Sequence, residues 1–255
     1  MKKQLLCIVC GLIAMSSMHG QTAGMNNIQQ RIDTAFYVSV RTNQLSSLTD
    51  IEHALASNSN PMATYWLSYA KYYEAAYYFQ KEDKTASEKA IKEGINNLDG
   101  KNNKTSDDYA LLAVMQTFSM QFMTNAIRMK FRSNTILKNI DRAIKADGNN
   151  VRAYLAAGAT DYYTPAEYGG QKKTEGYLKK AISLNSRRAE GEAQPTWGKE
   201  LSYNLLINFY LDKNNDDAAE RYMDEAISLY PKDYGLNELK RQIEQSYGLL
   251  RGVVK

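Results

Sequence analysis

Cysteine and histidine are scarce in this chain, and each shortage removes a class of function. Cys7 and Cys10 are its two cysteines, and both lie in the apolar amino-terminal stretch. Once that stretch is removed, no disulfide, thiolate metal site or cysteine nucleophile can form. Of the two histidines, His19 shares the same stretch, so His53 is the one imidazole beyond it. A serine triad would have to use that side chain, and no recognisable partner accompanies it. No histidine–carboxylate cluster has metal spacing, so neither a metal nor a cofactor is expected. Paired acids such as Asp216–Asp217 and Glu82–Asp83 sit in polar turns, where they cap helices rather than share a proton. No catalytic residue is assigned, and the sequence does not read as an enzyme.

A dominant charge is also missing. The formal charge of +4 includes Lys2 and Lys3 and falls to +2 without them. So balanced a chain offers no phosphate-tracking surface, and nucleic acid is not an expected partner. Long apolar runs are absent too. The apolar stretch from Leu5 to Met15 is shorter than the roughly 20 residues that span a bilayer. Lys2 and Lys3 precede it, and the small and polar Ser16 to Gly20 follow it, which is the layout of a secretory signal peptide. Residues 1–20 are expected to be removed by cleavage between Gly20 and Gln21, leaving an exported, periplasmic chain. A lipidated cysteine would have to follow the apolar core, and here both cysteines sit at its start.

What is present is helical periodicity, strongest from Tyr203 to Pro231. Tyr203, Leu206, Ile207 and Tyr210 recur three and four apart and so share one helical face. Lys213, Asn214 and Asn215 interrupt the pattern with turn formers. Ala219, Met223 and Ala226 repeat the spacing before Pro231 ends it. These anchors match the helix–turn–helix unit of the tetratricopeptide repeat (TPR), about 34 residues long, with Tyr203 at the tryptophan position and Ile207 at the glycine. The expected fold is all-α, an α/α superhelix of stacked TPR-like hairpins.

The rest of the chain divides on the same pattern. Residues 21–60 read as an amino-terminal capping pair, with Ile28, Ile32, Ala35 and Phe36 on one face and Leu48, Ile51, Ala54 and Leu55 on the next. Residues 61–233 form the repeat array, and residues 234–255 a capping helix and tail. Trp66, Tyr69, Ala70 and Tyr73 anchor the second unit, with Ala86, Ala90 and Gly94 on its return helix. Six tyrosines between Tyr65 and Tyr78 exceed one buried stripe, so half are expected at the surface. Tyr65, Tyr72 and Tyr78 are candidates for a groove, because tyrosine gives large contact area at low entropic cost. Tyr109, Leu112, Ala113 and Met120 open the third unit, capped by Ser106 or Asp107, with an inserted turn expected around Met129 to Ser133. Its methionines read as gap fillers rather than metal ligands. The fourth unit carries insertions at 161–173 and 187–198.

The string from Asn149 to Ile182, followed by QPTWGKE, resembles exported TPR proteins of Bacteroidetes-type Gram-negative bacteria. The matching residues are Asn150, Arg152 and Ala153; Tyr163, Thr164 and Pro165; Gly169 and Gly170; and Pro195, Trp197 and Gly198. Tyr168 stands where that group usually has phenylalanine. The resemblance covers roughly the last 110 residues. It implies fold and envelope location but no reaction, since the family has no established activity. The glycine pair alone is also similar to a turn in the helical periplasmic component of some solute transporters.

In such an array first helices line the concave side. The residues flanking the anchors are then Lys71 near Trp66; Arg152, Leu155, Tyr162 and Tyr163 around Tyr154; and Asn204 and Asn208 beside Tyr203. The asparagines could hold an extended peptide by its amides, and Lys71 or Arg152 could take a carboxylate. The alternative is that the asparagines are solvated helix positions. Tyr168, Gly169, Gly170 and Trp197 form an insertion group that either staples its loop or closes a pocket around an apolar or carbohydrate-like ligand. The expected partner is a protein or peptide, with a periplasmic small ligand as the alternative. Association with a membrane surface and the oligomeric state stay open.

Overall fold

The computed structural model describes residues 25–185 and 193–253, with side chains described as far as residue 246. The targeting segment read at 1–20 and residues 187–192 of the second insertion lie outside the described residues.

Among the described residues the chain is all helix and turn, with no strand. The helices are α1 (Ile28–Thr42), α2 (Ser46–Ala56), α3 (Ala63–Gln80), α4 (Lys84–Asp99), α5 (Ser106–Ser119), α6 (Ala126–Ala146), α7 (Val151–Tyr163), α8 (Thr174–Ser183), α9 (Lys199–Asp212), α10 (Asp216–Leu229) and α11 (Tyr234–Val253). They pack as consecutive hairpins, α1 with α2 through α9 with α10, and each second helix also rests on the first helix of the next pair. The result is the all-α repeat superhelix that the spacing predicts.

Polar turns set where the helices start. Asp83, Asn125, Asn150 and Asn215 each accept a backbone N–H from the first turn of α4, α6, α7 and α10. Thr105 and Asp108 form a reciprocal capping box on α5, so the cap lies one or two residues before the expected Ser106 or Asp107. The anchor stripes are the core: Trp66, Tyr69, Ala70 and Tyr73 are buried, as are Tyr203, Leu206, Ile207 and Tyr210. Where α7 crosses α8 the helices pack closely over Gly158, and any side chain there would have to displace Leu178. A Cβ on Gly158 would lie 2.5 Å from Leu178 Cδ2.

Two irregular places depart from the sequence reading or sharpen it. The break in the third unit falls at Met120–Asn125, earlier than the expected Met129 to Ser133. A 3-10 turn at Met120–Phe122 leads to extended Met123, and Asn125 then caps α6, which runs unbroken through residues 129–133. With 21 residues against 14 for α5, α6 overshoots its partner; its buried residues begin only at Ile136.

The 161–173 insertion closes on itself. Gly169 takes φ +89°, and a Cβ on Gly170 would sit 2.0 Å from the Thr164 carbonyl oxygen. Asp161 gathers the returning chain, accepting from Lys173 N and Thr174 Oγ1 at 2.8 Å each, while its own carbonyl accepts from Gln171 N at 2.8 Å.

Candidate functional site

The first helices α3, α5, α7 and α9 all contribute to one shallow apolar groove. Tyr72, Phe118, Leu155, Tyr163 and Leu205 line it, with Asn204 among them; its volume is about 60 Å³. Four successive first helices meeting there make it part of the concave side of the stack. Tyr72 and Phe118 meet edge to face with ring centroids 5.6 Å apart.

Asn204 is the amide among the residues lining this surface. It is 2% exposed, and its Nδ2 has no hydrogen-bond partner among the described residues. Its Oδ1 accepts from Asn208 Nδ2 at 3.0 Å, and its backbone carbonyl accepts from the same nitrogen at 2.9 Å. The amide orientation is therefore fixed, with the Asn204 N–H donors left over. A buried donor without an acceptor costs about 1–3 kcal/mol, so a carbonyl or hydroxyl that reached it as the groove side chains parted would be bound favourably. The two asparagines bond to each other and do not form a ladder along which a main chain could run.

The remaining expected groove residues are placed elsewhere. Lys71 is engaged between α2, α3 and α4, with Nζ 2.7 Å from Glu52, 2.6 Å from Glu74 and 3.2 Å from Glu93. Burial works against its ammonium, but Glu52 and Glu74 outweigh it and hold its pKa up. Arg152 is also spent inside the fold: Nε donates to Asp107 at 2.7 Å and Nη1 to the Trp197 carbonyl at 3.1 Å. Neither cation stands free to receive a ligand carboxylate. Tyr162 is buried, and its hydroxyl donates to Asp212 at 2.8 Å. Of the six clustered tyrosines, four are buried and Tyr72 and Tyr78 half-buried, because neighbouring helices cover α3 on several sides. Tyr65 is in the core and not in the groove.

The insertion group is not one cluster. Tyr168 is 79% exposed beyond the carboxyl end of α7, whereas Trp197 is 4% exposed and lies beside Arg152 at the other end. Thirteen helical residues, roughly 20 Å, separate the two places. Trp197 is a staple. Its indole packs on Tyr69 at 5.2 Å, and Gln29 Oε1 accepts from its backbone N at 3.2 Å and from Thr196 N at 2.8 Å. Trp66 Nε1 donates to the Ala193 carbonyl at 2.7 Å. Residues 193–198 are thus laid across α1, α3 and α7. With about 20 Å between them, Tyr168 and Trp197 do not close one pocket with Tyr163.

Several buried acids escaped the sequence reading, Asp33 and Glu52 among them. Asp33 accepts from the Tyr69 hydroxyl at 3.1 Å, and Tyr69 and Tyr73 share a hydrogen bond of 2.8 Å. Burial pushes the Asp33 carboxyl up to about 8, with Glu200 adding to the rise and the tyrosines opposing it. Burial likewise raises Glu52 to about 7, against the pull of Lys71. Neither lies in the groove, and helical spacing alone does not distinguish Asp33 from a solvated neighbour of Ile32. Among the described residues no group of three or more histidines, cysteines or acids could hold a metal.

No protein-family model matches this sequence, and no curated protein matches it. Solved structures do match its fold. A thermophilic TPR protein of Thermus thermophilus superposes with a TM-score of 0.55 at 18% identity, over 88% of this chain and 99% of that one. The HusA haemophore of Porphyromonas gingivalis superposes with a TM-score of 0.52 at 18% identity, over 76% and 96% of the two chains. At this identity the likeness is one of fold: a helical-repeat scaffold.

Proposed function

We propose that this chain is an exported binding protein whose concave groove holds an apolar segment of a protein or peptide partner in the bacterial envelope. The observation that carries the reading is the unpartnered Asn204 Nδ2 set in an aromatic and aliphatic surface. The occupant inserts an apolar side chain among Tyr72, Phe118 and Tyr163 and offers a carbonyl oxygen to Asn204. Because Lys71 and Arg152 are paired internally, recognition rests on shape and that one acceptor, not on a carboxylate clamp. Export follows from the targeting layout of residues 1–20.

A photo-crosslinking residue at Leu205 tests this in the native host, with Lys138 on α6 as the control. A discrete adduct from position 205 that is lost in Asn204→Ala, and absent from position 138, is the expected result. Adducts of equal yield at both positions would overturn the assignment.

One observation favours a second reading. HusA is a haemophore of the same general fold, and the groove presents rings that could cover a flat apolar ligand. Titration with haemin reads this directly. A saturable shift of the haem absorption band, weakened by Tyr163→Ala, supports it; an unshifted band excludes it.

A further inference from the structure

A second cleft lies between the second helices α4 and α6, away from the groove, and nothing in the groove reading uses it. It has a volume of about 340 Å³ and opens where α6 overshoots α5. Small-ligand pockets begin near that size, at about 300 Å³. Its floor is apolar: Ile91 and Ile95 of α4 are buried, and Phe122 and Met123 come from the break before α6. Above the floor stand Arg128 and Arg132, one helical turn apart. Neither guanidinium has a hydrogen bond or ion pair among the described residues. The acid at the rim, Glu88, is already paired with Lys92 at 2.7 Å. Along α6 itself six cations face one acid, Asp141, which pairs with Lys145.

We propose that this cleft binds an anionic amphiphile, its carboxylate or phosphate held between Arg128 and Arg132 and its first methylenes lying on Ile91, Ile95, Phe122 and Met123. Guanidinium forks match the planar or tetrahedral oxygens of such heads, and unpaired cations beside a methylene-accepting floor fit a molecule with charge at one end only. The head can belong to a free single-chain amphiphile or to a bilayer lipid. Ile127 and Phe131, each 69% exposed on the outward side of the same turns beside Lys130, give α6 the form of a helix that lies in a bilayer interface.

Two probes separate the sources. The processed chain is titrated calorimetrically with dodecyl phosphate below its micelle concentration, and is floated with vesicles of phosphatidylglycerol in phosphatidylcholine against phosphatidylcholine alone. Binding of either probe is expected to weaken at least tenfold in the Arg128→Gln/Arg132→Gln double variant. Its melting temperature should be unchanged, since neither side chain has a partner to lose. Flotation lost in Ile127→Ser/Phe131→Ser, with dodecyl phosphate binding kept, identifies a bilayer lipid; dodecyl phosphate binding without any flotation identifies a free amphiphile. If wild type binds neither probe, or if the arginine double variant binds as well as wild type, the proposal is overturned.

Discussion

The indole N–H of Trp197 donates to the Tyr65 hydroxyl over 2.9 Å, joining residues 132 positions apart in the chain. Both side chains are buried, so the contact sits inside the array. Trp197→Ala should lower unfolding stability by about 3–5 kcal/mol, through the lost ring and the cavity it leaves. Tyr65→Phe should cost about 1–3 kcal/mol, because the indole donor is then buried without an acceptor. Urea unfolding followed by circular dichroism checks both, and an unchanged midpoint for Trp197→Ala would refute the staple.

Stability should fall as pH rises from about 4 to about 8. Asp33 keeps its proton up to about 8 when folded, against an ordinary value of 3.8. Between those values the unfolded chain has released a proton that the folded chain retains, so raising the pH favours unfolding. Glu52, at about 7, and Asp233, at about 6, act in the same direction over lower ranges. In Asp33→Asn the decline between pH 7 and 8 should flatten, which thermal melts across that range would show. A slope equal to wild type would mean that Asp33 titrates normally.

Two glycines on the α7–α8 hairpin should respond with opposite signs. Gly158→Ala forces a methyl onto Leu178 and should destabilise by about 1–3 kcal/mol. Gly176 faces open space in α8, and Gly176→Ala should stabilise by about 0.4–1 kcal/mol by restricting the unfolded chain. A melting temperature that holds or rises in Gly158→Ala would show that the α7–α8 crossing has room to spare, and a fall in Gly176→Ala would show that its surroundings are not open.

Lys71 is the counter-ion of three carboxylates, Glu52, Glu74 and Glu93. Lys71→Met also removes the pull that holds the Glu52 carboxyl down, so in the variant Glu52 should take up its proton from above 7. The deficit should be greatest at alkaline pH and shrink as the pH falls. Denaturation midpoints at pH 6 and pH 8.5 read the difference. A deficit that does not change with pH would assign the loss to packing.

The repeat stripes were legible because a helical face is written at spacings of three and four. Tyr203, Leu206, Ile207 and Tyr210 follow that rule and are buried. Caps were legible to within one or two residues, since Asn and Asp in polar turns have few other uses. The break at Met120–Asn125 was not, because it contains neither glycine nor proline and α6 continues smoothly from it. The groove assignments were partly lost for another reason. Whether Arg152 faces a ligand or Asp107 depends on a partner 45 residues away, which no local spacing encodes. Leu155, Tyr163 and Asn204 do meet in the groove, because the side of a first helix that looks inward can be counted from its anchors.

The contact of Thr196 and Trp197 with Gln29 spans 167 and 168 residues. An open ribbon of hairpins can fray from either tip, each hairpin answering only to its neighbours. Here an early helix and a late segment hold the same hydrogen bonds, so peeling one frees the other. Melting should then be a single event in which truncation at either extremity is felt throughout, and folding should be slowed by the wait for its two distant parts to meet.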